Sequence, residues 1–172
     1  METAPPIRRC TDSAEQLACA RLMAASEPWR TLGRTLEASL AVLRNPAKEV
    51  YAATEGSAVR GFLILDLTGP LPGYVQTVCV APEARNRGLG SSLLAFAEAR
   101  IFDESPNVFM CVSSFNRGAR RLYARLGYQE VGVLRGYIVP DHDELLLRKS
   151  VGAWRDFGRS GTSAQGGAPG TA

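Results

Sequence analysis

Along this chain the spacing of apolar residues changes period repeatedly, and each change marks the edge of an element. Residues 7–10 carry a short strand pattern after a loose stretch at 1–6. Thr11-Asp12-Ser13 then offers N-cap oxygens, and Ala14, Leu17, Ala18, Arg21, Leu22 and Ala25 follow at helical spacing. A second helix is predicted over residues 31–43, with Leu32, Leu36, Leu40 and Leu43 on one side and Asn45-Pro46 as its stop.

The pattern then changes to that of strands. Residues 49–54 and 59–68 read as paired strands about the turn Glu55-Gly56-Ser57, and the loop at 69–73 leads into a third strand at 75–80. Gly90, Leu93, Leu94, Ala97 and Ile101 mark an amphipathic helix able to cover one face of a sheet. Residues 107–113, N-V-F-M-C-V-S, form a continuous apolar run between turn signals, which suits a buried strand ending in Ser113. A last helix spans residues 116–126, with Ala119, Leu122, Tyr123 and Leu126 at core spacing and Gly127 as its stop. Residues 129–139 and 144–149 close the fold as strands around Pro140-Asp141-His142-Asp143. The order β-α-α-β-β-β-α-β-α-β-β predicts an α/β (α+β) domain over residues 7–157, a mixed central sheet flanked by helices.

Composition narrows this picture. With 172 residues the chain is one domain by size and long enough to bury a core. From Gly158 to the end the residues turn to Gly, Ser, Ala, Thr and Pro, so 158–172 is expected to be a disordered tail. The charge of +3 comes with no basic run, which argues against nucleic acid as a partner. Cys10, Cys19, Cys79 and Cys111 lack metal-ligand spacing and read as free thiols, buried at Cys79 and Cys111, in a reducing compartment. No signal segment or membrane-length apolar run is present, so a cytoplasmic enzyme or binding module without a metal is expected.

Candidate chemistry concentrates in residues 75–91, V-Q-T-V-C-V-A-P-E-A-R-N-R-G-L-G-S. A strand here runs through a Pro-marked turn into a Gly-containing loop that opens a helix. The backbone N–H groups of Arg85, Asn86, Arg87, Gly88, Leu89, Gly90 and Ser91 would sit at that helix's N-terminus, lacking intrahelical partners and favoured by the macrodipole for an anion. Gly88 and Gly90 would let a diphosphate approach the backbone. No Gly-Lys-Ser/Thr follows, so the loop is not a P-loop, and it lacks the three-glycine dinucleotide pattern.

A second motif lies downstream, Asn116-R-G-A-R-R-L-Tyr123-A-R-L-Gly127-Tyr128. Asn116 and Tyr123 are two helical turns apart, about 10 Å along the axis, so one extended ligand can touch both. Together, Arg85-x-x-Gly88-x-Gly90 and this second motif resemble the GNAT superfamily of N-acetyltransferases, whose element order the chain also follows. The resemblance implies acetyl-CoA as cosubstrate, with its diphosphate on the 85–91 loop, its pantetheine arm on Asn116 and on the main chain of Val78 and Val80, and a primary amine as acceptor. It implies an oxyanion contact from the Val78 N–H and makes Tyr123 the proton donor to the departing thiolate. The two early helices would line the acceptor groove, and homodimers are common in the superfamily.

Structural readings stand beside these. Tyr123 at this spacing also fits a core tyrosine, and Arg117, Arg120, Arg121 and Arg125 fit either a face toward a CoA phosphate or a solvated helix face. Many members of the superfamily carry a Glu on the organising strand; here no Asp or Glu lies between Asp66 and Glu83, and Tyr74 and Gln76 stand there instead. His142, Asp143 and Glu144 are the remaining base candidates, with a water chain as the alternative. That missing carboxylate sustains a rival reading, a non-catalytic acyl-CoA-binding or sensing module.

Overall fold

The computed structural model of the chain describes residues 5–158, so the expectations for the chain ends, as far as they concern residues 1–4 and 159–172, lie outside the described residues. The elements are β1 (Ile7–Arg9), α1 (Ser13–Ala25), α2 (Leu36–Leu43), β2 (Glu49–Glu55), β3 (Ala58–Asp66), β4 (Tyr74–Val80), α3 (Leu89–Phe102), β5 (Asn107–Ser113), α4 (Arg117–Arg125), β6 (Gln129–Val139) and β7 (His142–Ser150). They follow the expected order. The strands form one sheet, β1-β2-β3-β4-β5-β7-β6, in which every neighbouring pair is antiparallel except β4 and β5. That parallel pair requires a crossover, and α3 supplies it.

Both faces of the sheet centre are covered. Leu89, Leu93, Leu94, Ala97 and Ile101 of α3 share a core with Leu63, Leu65, Val108, Met110, Val112, Leu145 and Leu147. On the other face Cys19, Ala20, Met23 and Leu43 from the first two helices pack with Val50, Ala52, Phe62, Ile64 and Cys79. Successive residues of β3 thus alternate between two cores, which is why its sequence is apolar without a break. All four cysteines are free; Cys79 is buried, while Cys111 is half-buried rather than buried.

Three boundaries differ from the pattern. The second helix starts at Leu36, not at 31, because Thr35 caps it by accepting the Ala38 N–H (3.1 Å), while Glu27 takes the Thr31 N–H and holds the preceding residues in turns. Its apolar side shifts accordingly: Leu36 is 41% exposed, and Ser39 and Leu43 turn inward. Strand β3 stops at Asp66, whose carboxylate accepts the Thr68 N–H (3.1 Å) in an Asx turn. Finally, β7 begins at His142, so the turn before it is only Pro140 and Asp141, and His142 and Asp143 belong to a strand rather than a loop.

The feature that positions the site is a failure of pairing. Strand β5 pairs with β7 along its whole length, yet β4 and β5 are paired only at Tyr74 and Phe109, beside the Phe109 N–H bond to the Gly73 carbonyl (3.0 Å). Beyond that point the two strands part.

Candidate active site

The parting leaves a slot lined by backbone. The Ala81 N–H donates to the Arg60 carbonyl on the β3 side (2.9 Å), and backbone groups alternate in direction along a strand, so Val80 and Val78 present theirs toward β5. Past Tyr74 no strand receives them there. A row of free N–H and C=O groups accepts an extended chain as a sheet edge accepts another strand. One of these groups is engaged: the Val80 carbonyl accepts the Arg85 Nε–H (3.2 Å).

Directly after β4 the chain makes a 3-10 turn over Pro82–Ala84, then passes through Asn86 and Gly88, both at positive φ (60° and 83°), into α3. Gly88 is the N-cap and has no side chain to cap with, and no acidic residue stands in the first turn. The N–H groups of Leu89, Gly90 and Ser91 therefore open at the positive end of a 14-residue helix. Residues 85–88 are exposed, Gly90 and Ser91 are half-buried, and Leu89 sends its side chain into the core, leaving only its backbone for a ligand. A Cβ on Gly90 would lie 3.4 Å from Leu122 and 3.8 Å from Val80, so the loop, the slot and α4 converge here.

Helix α4 brings the second motif to the same place. Asn116 is its N-cap, accepting the Ala119 N–H on Oδ1 (3.2 Å), a structural duty that leaves its side-chain NH₂ to donate elsewhere. Tyr123 is buried among core residues, edge-on to Tyr128 with ring centroids 6.0 Å apart. Burial alone pushes its phenol up to about 12, so at neutral pH it is a hydrogen-bond donor. Arg117, Arg120 and Arg121 instead line a separate groove with Tyr128, Glu130, Leu145 and Leu147, which takes no residue from β4, the loop or β5.

On the sheet face away from α3 lies a polar cluster that the pattern of the sequence does not announce. The Ser113 hydroxyl donates to Glu144 (2.6 Å), and both residues are buried. Burial pushes the Glu144 carboxyl up, partly opposed by Ser113 and His142. Burial and the Cys111 thiol likewise push the Tyr74 phenol up. Of the other base candidates, His142 packs its ring on Phe115 (4.6 Å), and Asp143 accepts the Gly136 N–H (3.0 Å). Only the β5–β7 register joins Ser113 to Glu144, and no local signal carries it.

Comparison with known proteins places this arrangement among its relatives. The sequence model of the Acetyltransferase (GNAT) family matches residues 11–128. The N-alpha-acetyltransferase RimI of Mycobacterium tuberculosis is 28% identical over 137 residues, which are 77% of this chain and 82% of that protein. An aminoglycoside 6'-N-acetyltransferase complexed with coenzyme A superposes with a TM-score of 0.71 at 15% identity, over 86% of this chain and 98% of the other. A ribosomal-protein-alanine N-acetyltransferase from Brucella melitensis does so at 0.67 and 22% identity, over 85% and 99%.

Proposed function

Since this chain belongs to the Acetyltransferase (GNAT) family and has its fold, we propose that it transfers the acetyl group of acetyl-CoA to a primary amine, by direct attack of the amine on the thioester. The observation that carries this reading is the β4–β5 slot, whose backbone groups at Val78 and Val80, taken up by no strand, meet the 85–91 loop and α4. In it the pantetheine arm runs along Val78 and Val80, with the Asn116 NH₂ as a further donor. The backbone of residues 85–91 takes the diphosphate, and Arg85 exchanges the Val80 carbonyl for a phosphate oxygen. The Val78 N–H faces the thioester oxygen, where negative charge develops. Tyr123 donates to the sulfur as it leaves.

Among amines we favour a protein N-terminus. The RimI relative and the ribosomal-protein-alanine neighbour point that way. So does chemistry: an α-amine has a reference pKa of about 7.7–8.0 against about 10.4 for lysine, so it asks less of a strand that offers Gln76 and no carboxylate. Acetyl-CoA use and four free cysteines make the cytoplasm the compartment we propose; among the described residues no helix is long and apolar enough to cross a membrane.

The test is acetyl-CoA-dependent thiol release with peptide N-termini, lysine peptides, polyamines and aminoglycosides. Turnover highest on N-terminal peptides is expected. Tight acetyl-CoA binding without turnover on any amine would favour the binding module, which the missing β4 carboxylate keeps in play, and no acetyl-CoA binding would end both readings. A milder variant probes the loop. Gly90→Ala adds a Cβ at ordinary contact distance from Leu122, so the fold should tolerate it while the diphosphate loses its close approach. Calorimetry should show acetyl-CoA affinity down by about tenfold with the melting temperature little changed.

A further inference from the structure

We propose that Ser113 and Glu144 form a proton relay that deprotonates the acceptor ammonium at the mouth of the slot, an inference that rests on the amine-acetyltransferase reading above. Its basis is register. Strands β4 and β5 run parallel from the Tyr74–Phe109 pair, and β4 carries one extra residue between Val75 and Thr77, so Val78 stands level with Val112, the residue before Ser113. Ser113 is in turn paired with Glu144 across β5 and β7. The relay thus lies within one residue of the height of the Val78 N–H.

Its side of the sheet is equally defined. Val108, Met110 and Val112 of β5 and Leu145 and Leu147 of β7 belong to the core beneath α3, and strand alternation puts Cys111, Ser113 and Glu144 on the opposite face. The cosubstrate loop and α4 occupy the first face, so an amine attacking the thioester approaches from the second. Glu144 is separated from the slot by β5. Its carboxylate therefore communicates with the slot through the Ser113 hydroxyl, which donates to it at 2.6 Å.

The pair is also out of balance as a purely structural element. Ser113 is 3% and Glu144 4% exposed, and among the described residues no Lys, Arg or His nitrogen lies within salt-bridge distance of the carboxylate. A buried carboxylate without a cation is costly unless something compensates it. An incoming ammonium supplies that cation. The titratable groups around Glu144 are His142 on its own strand, Cys111 on β5 and, beyond Cys111, Tyr74 on β4; the β6 residue paired with it is Leu134, and Arg148 further along β7 is bonded to Asn107.

In the step itself the ammonium gives one proton to the Ser113 oxygen as the Ser113 proton passes to Glu144. The freed lone pair forms the C–N bond, and the C–S bond breaks as the tetrahedral intermediate collapses. The thiolate takes the Tyr123 proton, and the second proton of the nitrogen restores the phenol. Glu144 returns its proton to solvent, which accounts for the one proton released per turnover.

The test compares kcat/KM across pH for the full chain, Glu144→Gln and Ser113→Ala, using the best amine of the panel. Wild-type activity should fall as the pH drops through the raised Glu144 pKa, because the base form is then lost. Both variants should be about 10²-fold slower at pH 7, lose that acid limb, and recover as the pH passes the acceptor's own pKa, with acetyl-CoA affinity within about threefold of wild type. If either folded variant stays within about threefold of wild type at pH 7, the relay is wrong. It is equally wrong if the loss persists undiminished at high pH together with weakened acetyl-CoA binding, the mark of a structural role. Should Glu144→Gln not fold, Ser113→Ala alone decides by the same criteria. A wild-type chain that acetylates no amine overturns the transferase reading and the relay with it, whereas an active wild type with unaffected variants overturns the relay alone.

Discussion

Replacing Tyr123 by phenylalanine should lower kcat by roughly 10²–10⁴-fold while leaving acetyl-CoA affinity nearly unchanged. The ring fills the same core position beside Tyr128, so packing is kept and only the hydroxyl is lost. With its phenol pushed up to about 12, Tyr123 does not ionise near neutral pH and holds its proton ready. The same shift means that full transfer to a thiolate, whose conjugate acid lies near a reference value of about 8.5, is uphill on its own. On the proposed mechanism, the transfer becomes favourable only when the nitrogen of the collapsing intermediate resupplies the phenol. Stopped-flow measurement of thiol release at saturating substrates, with calorimetric acetyl-CoA binding in parallel, checks both halves. An unchanged kcat would make Tyr123 a packing residue and nothing more.

The second large effect is on stability. Gly73→Ala should cost about 2–5 kcal/mol, from a left-handed backbone penalty of about 1–2 and overpacking of about 1–3. Gly73 has φ +90°, and a Cβ there would lie 2.4 Å from the Asn107 carbonyl and 2.7 Å from Ile101. Neither can retreat easily: Ile101 is fully buried, and Asn107 opens β5, where its carbonyl also accepts the Ser105 hydroxyl. Gly56→Ala is the control, since Gly56 also has positive φ (58°) but nothing within 4 Å of the new Cβ. Urea unfolding of both variants separates the two contributions. Equal losses would show that backbone conformation alone is at stake and that the crowding at Gly73 is harmless.

Local features of this protein were legible in its sequence and non-local ones were not. The 85–91 loop and the Asn116 to Tyr123 spacing are written in consecutive residues, because a helix N-terminus and a helix face are short-range objects. Spacing alone puts the start of α2 too early, because Leu32 and Leu36 continue the apolar period, while Glu27 and Thr35 decide the boundary through side-chain bonds that the spacing does not reveal. The slot is invisible in the sequence for a different reason. Strands β4 and β5 both read as sound apolar strands, and nothing within either says that they part after a single pair. Ser113 looked like a strand end and Glu144 like the edge of a loop; only their pairing makes them neighbours.

That single pair between β4 and β5 has a mechanical consequence. The sheet is two leaves, β1 to β4 and β5 to β7, stitched at one point and spanned by α3. On the proposed placement of acetyl-CoA, its pantetheine arm would lie between the leaves and bond to the β4 backbone over the length where the chain does not tie itself. Cosubstrate binding would then also fill the gap in the sheet, and by mass action the resilience of the protein would rise with the supply of its acyl donor.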